Sequence, residues 1–180
     1  MIEPNYKDFF EALFFTGARP SELTALRWPY VDLNNERFEI RVGRVRGKED
    51  EPKTEGSRRI ADMGAAINVF RRMREKTILR DRREGYVFLG PKGKPLEQNN
   101  LRNRIWYPAL KVAKVRRRDL YQCRHTFITL ALAAGESVDY LALQCGTSAK
   151  MIHENYRGYI PNLTRRDGSA IATKFQAGGE

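Results

Sequence analysis

Apolar positions change period along this chain, and the changes mark out its elements. Phe9, Phe10, Leu13 and Phe14 recur at helical spacing, which predicts a first helix capped by Asn5 and closed by Gly17. Pro20 suits the first position of a second helix, expected to run to about Arg27 before Trp28-Pro29 breaks it. The period then falls to two. Tyr30 to Leu33 reads as a short strand, Asn34-Asn35 as a turn, and Arg37 to Val42 alternates polar and apolar as a half-buried strand does. A polar hairpin loop from Gly47 to Ser57 leads into a third strand, Arg58 to Met63. Helical spacing resumes at Gly64, with Ile67, Phe70, Met73 and Ile78 inward and a basic outer face from Arg71 to Arg83. Val87 to Leu89 is a short buried segment and Pro91 to Pro95 a turn. A helix over Glu97 to Lys114 carries Leu101, Ile105, Leu110 and Val112 and is kinked or split by Pro108.

The last third of the chain is the most sharply punctuated. Asp119 has the position of a helix N-cap, and Gln122 completes a capping-box spacing. Tyr121, Arg124, His125 and Ile128 follow at i, i+3, i+4 and i+7 and so share a helix face. Gly135 ends that helix, Ser137 starts another, Gly146 ends it, and Ser148 starts a third that carries Tyr156. An arginine placed among Phe127, Ile128, Leu130 and Leu132 is costly unless an anionic partner meets it. Taken alone, this stretch also fits a helical hairpin with a satisfied buried arginine and a core tyrosine.

These elements describe an α+β, mainly α, single domain with a small three-stranded antiparallel sheet. Its core spans about residues 5–161, and residues 162–180 form a polar tail. The chain runs almost at once into helix, as a domain cut from a longer protein would. At 180 residues and 41% apolar it is long enough to bury a real core. No stretch has the apolar length of a membrane span and none reads as a signal peptide. Cys123 and Cys145 lack metal-ligand spacing and read as core thiols of a reducing cytoplasm. The net charge of +11 and a pI near 9.9 favour a polyanionic partner, most simply nucleic acid.

Four motifs carry candidate chemistry. Thr-Gly-Ala-Arg19-Pro-Ser-Glu-Leu puts an arginine just ahead of a helix N-terminus, where free amides also face an anion. Pro-Lys53-Thr lies in the hairpin loop. Tyr-Gln-Cys-Arg124-His-Thr-Phe opens a helix, and Gly-Thr-Ser-Ala-Lys-Met-Ile-His-Glu-Asn-Tyr156 ends the domain. In this order and spacing they resemble the catalytic domain of tyrosine recombinases of the phage integrase type, over roughly Asn5 to Pro161. The resemblance implies the roles. Arg19 and Arg124 match the pair that clamps the scissile phosphodiester, Lys53 the general acid, and Tyr156 the nucleophile that forms a 3′-phosphotyrosine link to DNA. Tyr156 is preferred over Tyr159, which reads as a packing aromatic. Double-stranded DNA is the implied partner, with a homo-tetramer on DNA in the full-length protein and a monomer for this domain alone. A cytoplasmic setting in a prokaryotic cell follows, and the N-terminal DNA-clamping domain of such enzymes is absent from this chain.

The residue types suit the chemistry. A phosphodiester gains negative charge as its phosphorus becomes five-coordinate, and guanidiniums stay charged at any working pH and present forked donors to it. A tyrosine with a pKa of about 10 needs such a cationic pocket to act as a nucleophile. The phosphotyrosine stores the bond energy, so no cofactor and no metal is required. Two departures stand out. Tyr121 occupies the position where the family usually has His, and Thr147 the position where it usually has His or Trp. Either could donate a hydrogen bond to phosphate, but neither is a good proton acceptor, so the general base is open. His125 reads as structural. Two alternatives to recombination also remain at this point: a non-catalytic DNA-binding relative that regulates recombination, and type IB topoisomerase-like relaxation.

Overall fold

Phe38 and Ile40, the inward positions of the period-two stretch, seed the larger of two cores. They lie on β2 (Arg37–Ile40), the middle strand of an antiparallel sheet ordered β1-β2-β5, with β1 at Val31–Asp32 and β5 at Arg59–Asp62. The register sets Phe38 between Val31 and Ala61. Phe38, Ile40 and Ala61 are buried, while Ile60 on the opposite face is 65% exposed. The sheet is therefore covered on one face only, as alternating antiparallel strands allow. Phe38 stacks on Phe70 of α3 (Ile67–Thr77), and Phe70 and Phe9 of α1 (Pro4–Thr16) both meet Phe88 edge-on. The structure is a computed structural model that describes residues 4–50, 58–77 and 85–160. Lys53 and Ile78 lie outside the described residues.

Several boundaries differ from the expectation. Helix α1 starts at Pro4, so Asn5 falls inside its first turn and not at the cap; proline is favoured there because its missing N–H would have no partner. The second helix, α2, covers only Pro20–Ala25. The hairpin loop opens with a second sheet, β3 (Gly43–Val45) against β4 (Lys48–Asp50). Arg46 and Gly47 turn it, both at positive φ (51° and 78°), the pattern of a type I′ turn. Three-residue strands are too short to show alternation. The helix predicted over Glu97 to Lys114 runs as α4 (Gln98–Asn100), a π-helical stretch (Leu101–Trp106) and α5 (Tyr107–Val112). Pro108 offers no N–H to the preceding turn and crowds its carbonyl, and the widened helix accommodates it. Val112 is 79% exposed and packs against nothing in the core.

The second core is the C-terminal helical unit: α6 (Gln122–Ala133), α7 (Val138–Cys145) and α8 (Ala149–Tyr156). Its punctuation follows the sequence closely. Ser137 accepts a hydrogen bond from Tyr140 N and Ser148 from Met151 N, each capping its helix, and Gly146 ends α7 at φ 61°. Asp119 is not the N-cap of α6. Its carboxylate accepts from Tyr121 N in a turn anchored by the fully buried Leu120, and the helix begins only at Gln122. Ile128, Leu132, Leu141, Cys145, Ile152 and Tyr156 form this core, whereas Cys123 at the start of α6 belongs to the larger one. Helix α6 thus bridges both cores, and Arg124 stands at their boundary. Among the described residues, no helix is long and apolar enough to cross a membrane.

Candidate active site

Arg19 and Arg124 come from distant parts of the chain and meet at the C-terminal end of α7. Arg19 occupies the N-cap position of α2 in extended backbone. Its Nη2 donates to the carbonyl of Gly146 at 2.8 Å. Arg124 is 2% exposed, and its Nη1 donates to the carbonyls of Gly17, at 3.0 Å, and of Cys145. Adjacent carbonyls at one helix end therefore each hold a guanidinium. Those carbonyls lack intrahelical partners and lie at the negative end of the helix dipole, so they can hold two like charges side by side. The sequence pointed to an anion as Arg124's partner. Its direct partners are neutral carbonyls, because packing against α7 brings the helix end within reach, and the local positive charge is not cancelled. Burial, and then repulsion from Arg19, hold the Arg124 guanidinium below its ordinary pKa.

The tyrosines complete the cluster. Tyr121 is 39% exposed; its ring centre lies 5.9 Å from Arg124 Cζ, and its ring meets the His125 ring edge-on at 5.2 Å. Tyr156, the last residue of α8, is 9% exposed, and its hydroxyl hydrogen-bonds His125 Nδ1. Burial pushes the Tyr156 phenol above its ordinary pKa, against the opposing pull of the Arg124 charge. Burial and then Arg124 hold the His125 imidazole below its ordinary value. Thr147 follows the carbonyl that holds Arg19, and its own N–H donates to Ala142 O at 3.0 Å. So Arg19, Tyr121, Arg124 and Tyr156 converge, with Thr147 beside them. Tyr159 is 52% exposed and is not a packing aromatic of either core, since the 3-10 turn Arg157–Tyr159 carries it outward.

Residues 2–157 match the family model of the phage integrase family. The chain belongs to the phage integrase family. It is similar to the prophage integrase IntR of Escherichia coli, with 29% identity over an alignment of 175 positions that covers 83% of this chain and 42% of the relative. It is similar also to IntQ of the same organism, a protein described as defective, with 29% identity over an alignment of 186 positions that covers 89% of this chain and 47% of that protein. The chain thus spans less than half the length of these two relatives. Among solved structures, the Tn1549 transposon integrase in complex with transposon right end DNA superposes with a TM-score of 0.72 at 22% identity, over 96% of this chain and 59% of that one. The XerA recombinase gives 0.64 at 17% identity, over 100% of this chain and 63% of that one. The fold is that of a tyrosine recombinase catalytic domain.

This phage integrase domain holds its arginine pair in place with a buried polar scaffold that sequence reasoning missed. Glu22 accepts from Arg19 N and Arg19 Nη1, both at 2.7 Å, and from Arg59 Nη1 and Nη2 at 3.0 and 2.9 Å. Burial pushes the Glu22 carboxyl up, but the bonds and charges of Arg59 and Arg19 outweigh it and leave its pKa below the usual carboxylate range. Arg59 Nε also donates to Gln144 O at 2.9 Å. The Gln144 amide donates to Thr16 O and Asp62 O and accepts from Asp62 N, locking α7 to β5 and to the end of α1. Two signals could have exposed part of this. Glu22 sits three residues after Arg19, a capping spacing, and Arg59 shares the inward face of β5 with Ala61. His125, which the sequence reading took as structural, touches the candidate nucleophile directly.

Proposed function

We propose that this domain cleaves and rejoins DNA strands in site-specific recombination, through a covalent 3′-phosphotyrosine intermediate. The observation that carries this reading is the meeting of Arg19 and Arg124 on adjacent carbonyls of α7, with the Tyr156 phenol on the neighbouring residue of α6. Two guanidiniums held side by side without full neutralisation offer forked donors to the non-bridging oxygens of one phosphate. Those oxygens gain charge as phosphorus becomes five-coordinate, so the clamp binds the transition state more tightly than the bound DNA. Tyr121 and Thr147 add hydrogen-bond donors to that phosphate. Lys53 is the general acid that protonates the leaving 5′ oxygen. Double-stranded DNA is the substrate, and four copies of the whole protein act on two DNA sites. The net charge of +11 supports the DNA partner, as do the DNA-bound states of two fold relatives, the Tn1549 integrase and a lambda integrase dimer bound to a COC′ core site.

The test is trapping on a nicked suicide duplex, in which the released fragment diffuses away. Wild type is expected to leave a protein–DNA adduct that survives denaturant, and Tyr156→Phe none. Salt-sensitive DNA binding with no wild-type adduct at any substrate strain would overturn the reading in favour of a non-catalytic DNA-binding role.

A further inference from the structure

We infer that His125 is a catalytic residue of this site: its Nδ1 takes the phenolic proton of Tyr156 as the tyrosine oxygen attacks phosphorus. The inference rests on the strand-cleavage reading and supplies the base which that reading leaves open. Nδ1 lies in direct hydrogen-bond contact with Tyr156 Oη, and the two rings are 5.6 Å apart and tilted by 35°. The contact joins separate helices, α6 and α8, so it reflects tertiary packing and not local chain geometry. A phenol has one proton to give, and a neutral imidazole with its proton on Nε2 accepts it at Nδ1. The protonation states match: the imidazole is held neutral at pH 7 and the phenol protonated.

Other candidate bases in the cluster fail on chemistry. Tyr121 and Thr147 are poor proton acceptors at neutral pH. The Glu22 carboxylate is occupied by Arg19 and Arg59, and its lowered pKa makes it a weak base. The thiol of Cys145 is buried in the second core. The charge acting on His125 is that of Arg124 on its own helix. From the neighbouring elements, Tyr121 and Tyr156 face it as phenols. Cys145 of α7 acts on Tyr156 and Arg124, and the turn packed against α6 carries Arg157 and Tyr159. On α1, Asp8 and Glu11 pair with Arg72 and Lys76 of α3.

The step balances. The Tyr156 oxygen–phosphorus bond forms and the phosphorus–5′ oxygen bond breaks. The phenolic proton moves to Nδ1, and the 5′ oxygen takes a proton from the general acid. Before attack the transfer is uphill, since a free phenol (pKa about 10) is a far weaker acid than a free imidazolium (about 6.5), and burial here raises the one and lowers the other. It becomes downhill as the new bond forms, because the ester oxygen no longer holds a proton. The imidazolium so formed beside Arg124 is compensated by the extra charge on the phosphate oxygens. Rejoining runs the same steps backward, and the proton returns to Tyr156.

The test is single-turnover adduct formation by the full chain on the suicide duplex from pH 5 to 9. In wild type the rate should fall about tenfold per pH unit below the His125 pKa, which lies under 6.5. His125→Gln keeps a polar side chain but cannot take the proton, so the rate at pH 7.5 should drop by about a hundredfold or more and the acid limb should vanish. Difluorotyrosine at position 156, with a more acidic phenol, should recover much of that loss, which a packing role for His125 would not allow. His125→Gln within about threefold of wild type overturns the inference, as does an acid limb retained in the variant or no recovery with difluorotyrosine. If the variant does not fold, His125→Asn replaces it and is read by the same three outcomes. Absence of any wild-type adduct sinks the strand-cleavage reading itself, an outcome distinct from a normal adduct that ignores His125.

Discussion

Removing the Glu22 carboxylate should loosen the whole arginine arrangement at a cost that can be worked from the contacts. Glu22 is 6% exposed and the Arg59 side chain 7%, so their two-bond pair is fully desolvated. The bond to Arg19 is partly solvated and adds less. Breaking a buried pair by deleting one partner costs about 3–5 kcal/mol, because the remaining charge stays in the interior. A domain of this size loses about 2–4 °C of Tm per kcal/mol, so Glu22→Ala should melt about 6–20 °C lower at pH 7. Glu22→Gln, which keeps the shape and part of the hydrogen bonding, should fall between. The pH dependence has a definite sign. A carboxyl whose folded pKa is depressed stabilises fully above its unfolded value of about 4.3, and that contribution disappears as pH falls through the folded value. The gap between wild type and Glu22→Gln should therefore narrow on acidification from pH 7 toward 3. Thermal melts followed by far-UV circular dichroism measure both. A Glu22→Ala variant melting within 2 °C of wild type, or a gap that widens in acid, would refute this account of the scaffold.

Two further substitutions probe the same arrangement. Gly146→Ala forces an L side chain into φ 61° and sets its Cβ 2.5 Å from Arg59 Nη1, which Glu22 holds in place. A loss of about 2 kcal/mol or more is expected, about 4–8 °C in Tm, with slower adduct formation because the carboxyl-terminal carbonyl that anchors Arg19 moves. An unchanged melt would contradict it. Arg124→Lys keeps a cation but cannot reach the carbonyls of Gly17 and Cys145 and still present a fork to phosphate. Adduct formation should slow by about a hundredfold while DNA affinity changes by less than about threefold. Equal losses in both would assign Arg124 to ground-state binding instead.

Local rules carried much of this architecture. Pro20 starting α2, Ser137 and Ser148 capping their helices, Gly146 ending α7, and Phe38 and Ile40 facing inward all follow from backbone preference and period. Those rules were enough to put Arg19, Arg124 and Tyr156 on the right elements. They failed where elements were too short for a period, as in β3 and β4, and where one buried residue outweighed a capping signal, as Leu120 does ahead of α6. What no local rule could supply was the set of partners. That the end of α7 receives both guanidiniums, that Glu22 joins Arg19 to Arg59, that Gln144 locks three elements, and that His125 meets Tyr156 all depend on how two cores dock across α6. Secondary structure is decided by neighbours along the chain, whereas a buried polar group must find its partner among whatever packing brings near, and that is a property of the assembled layers.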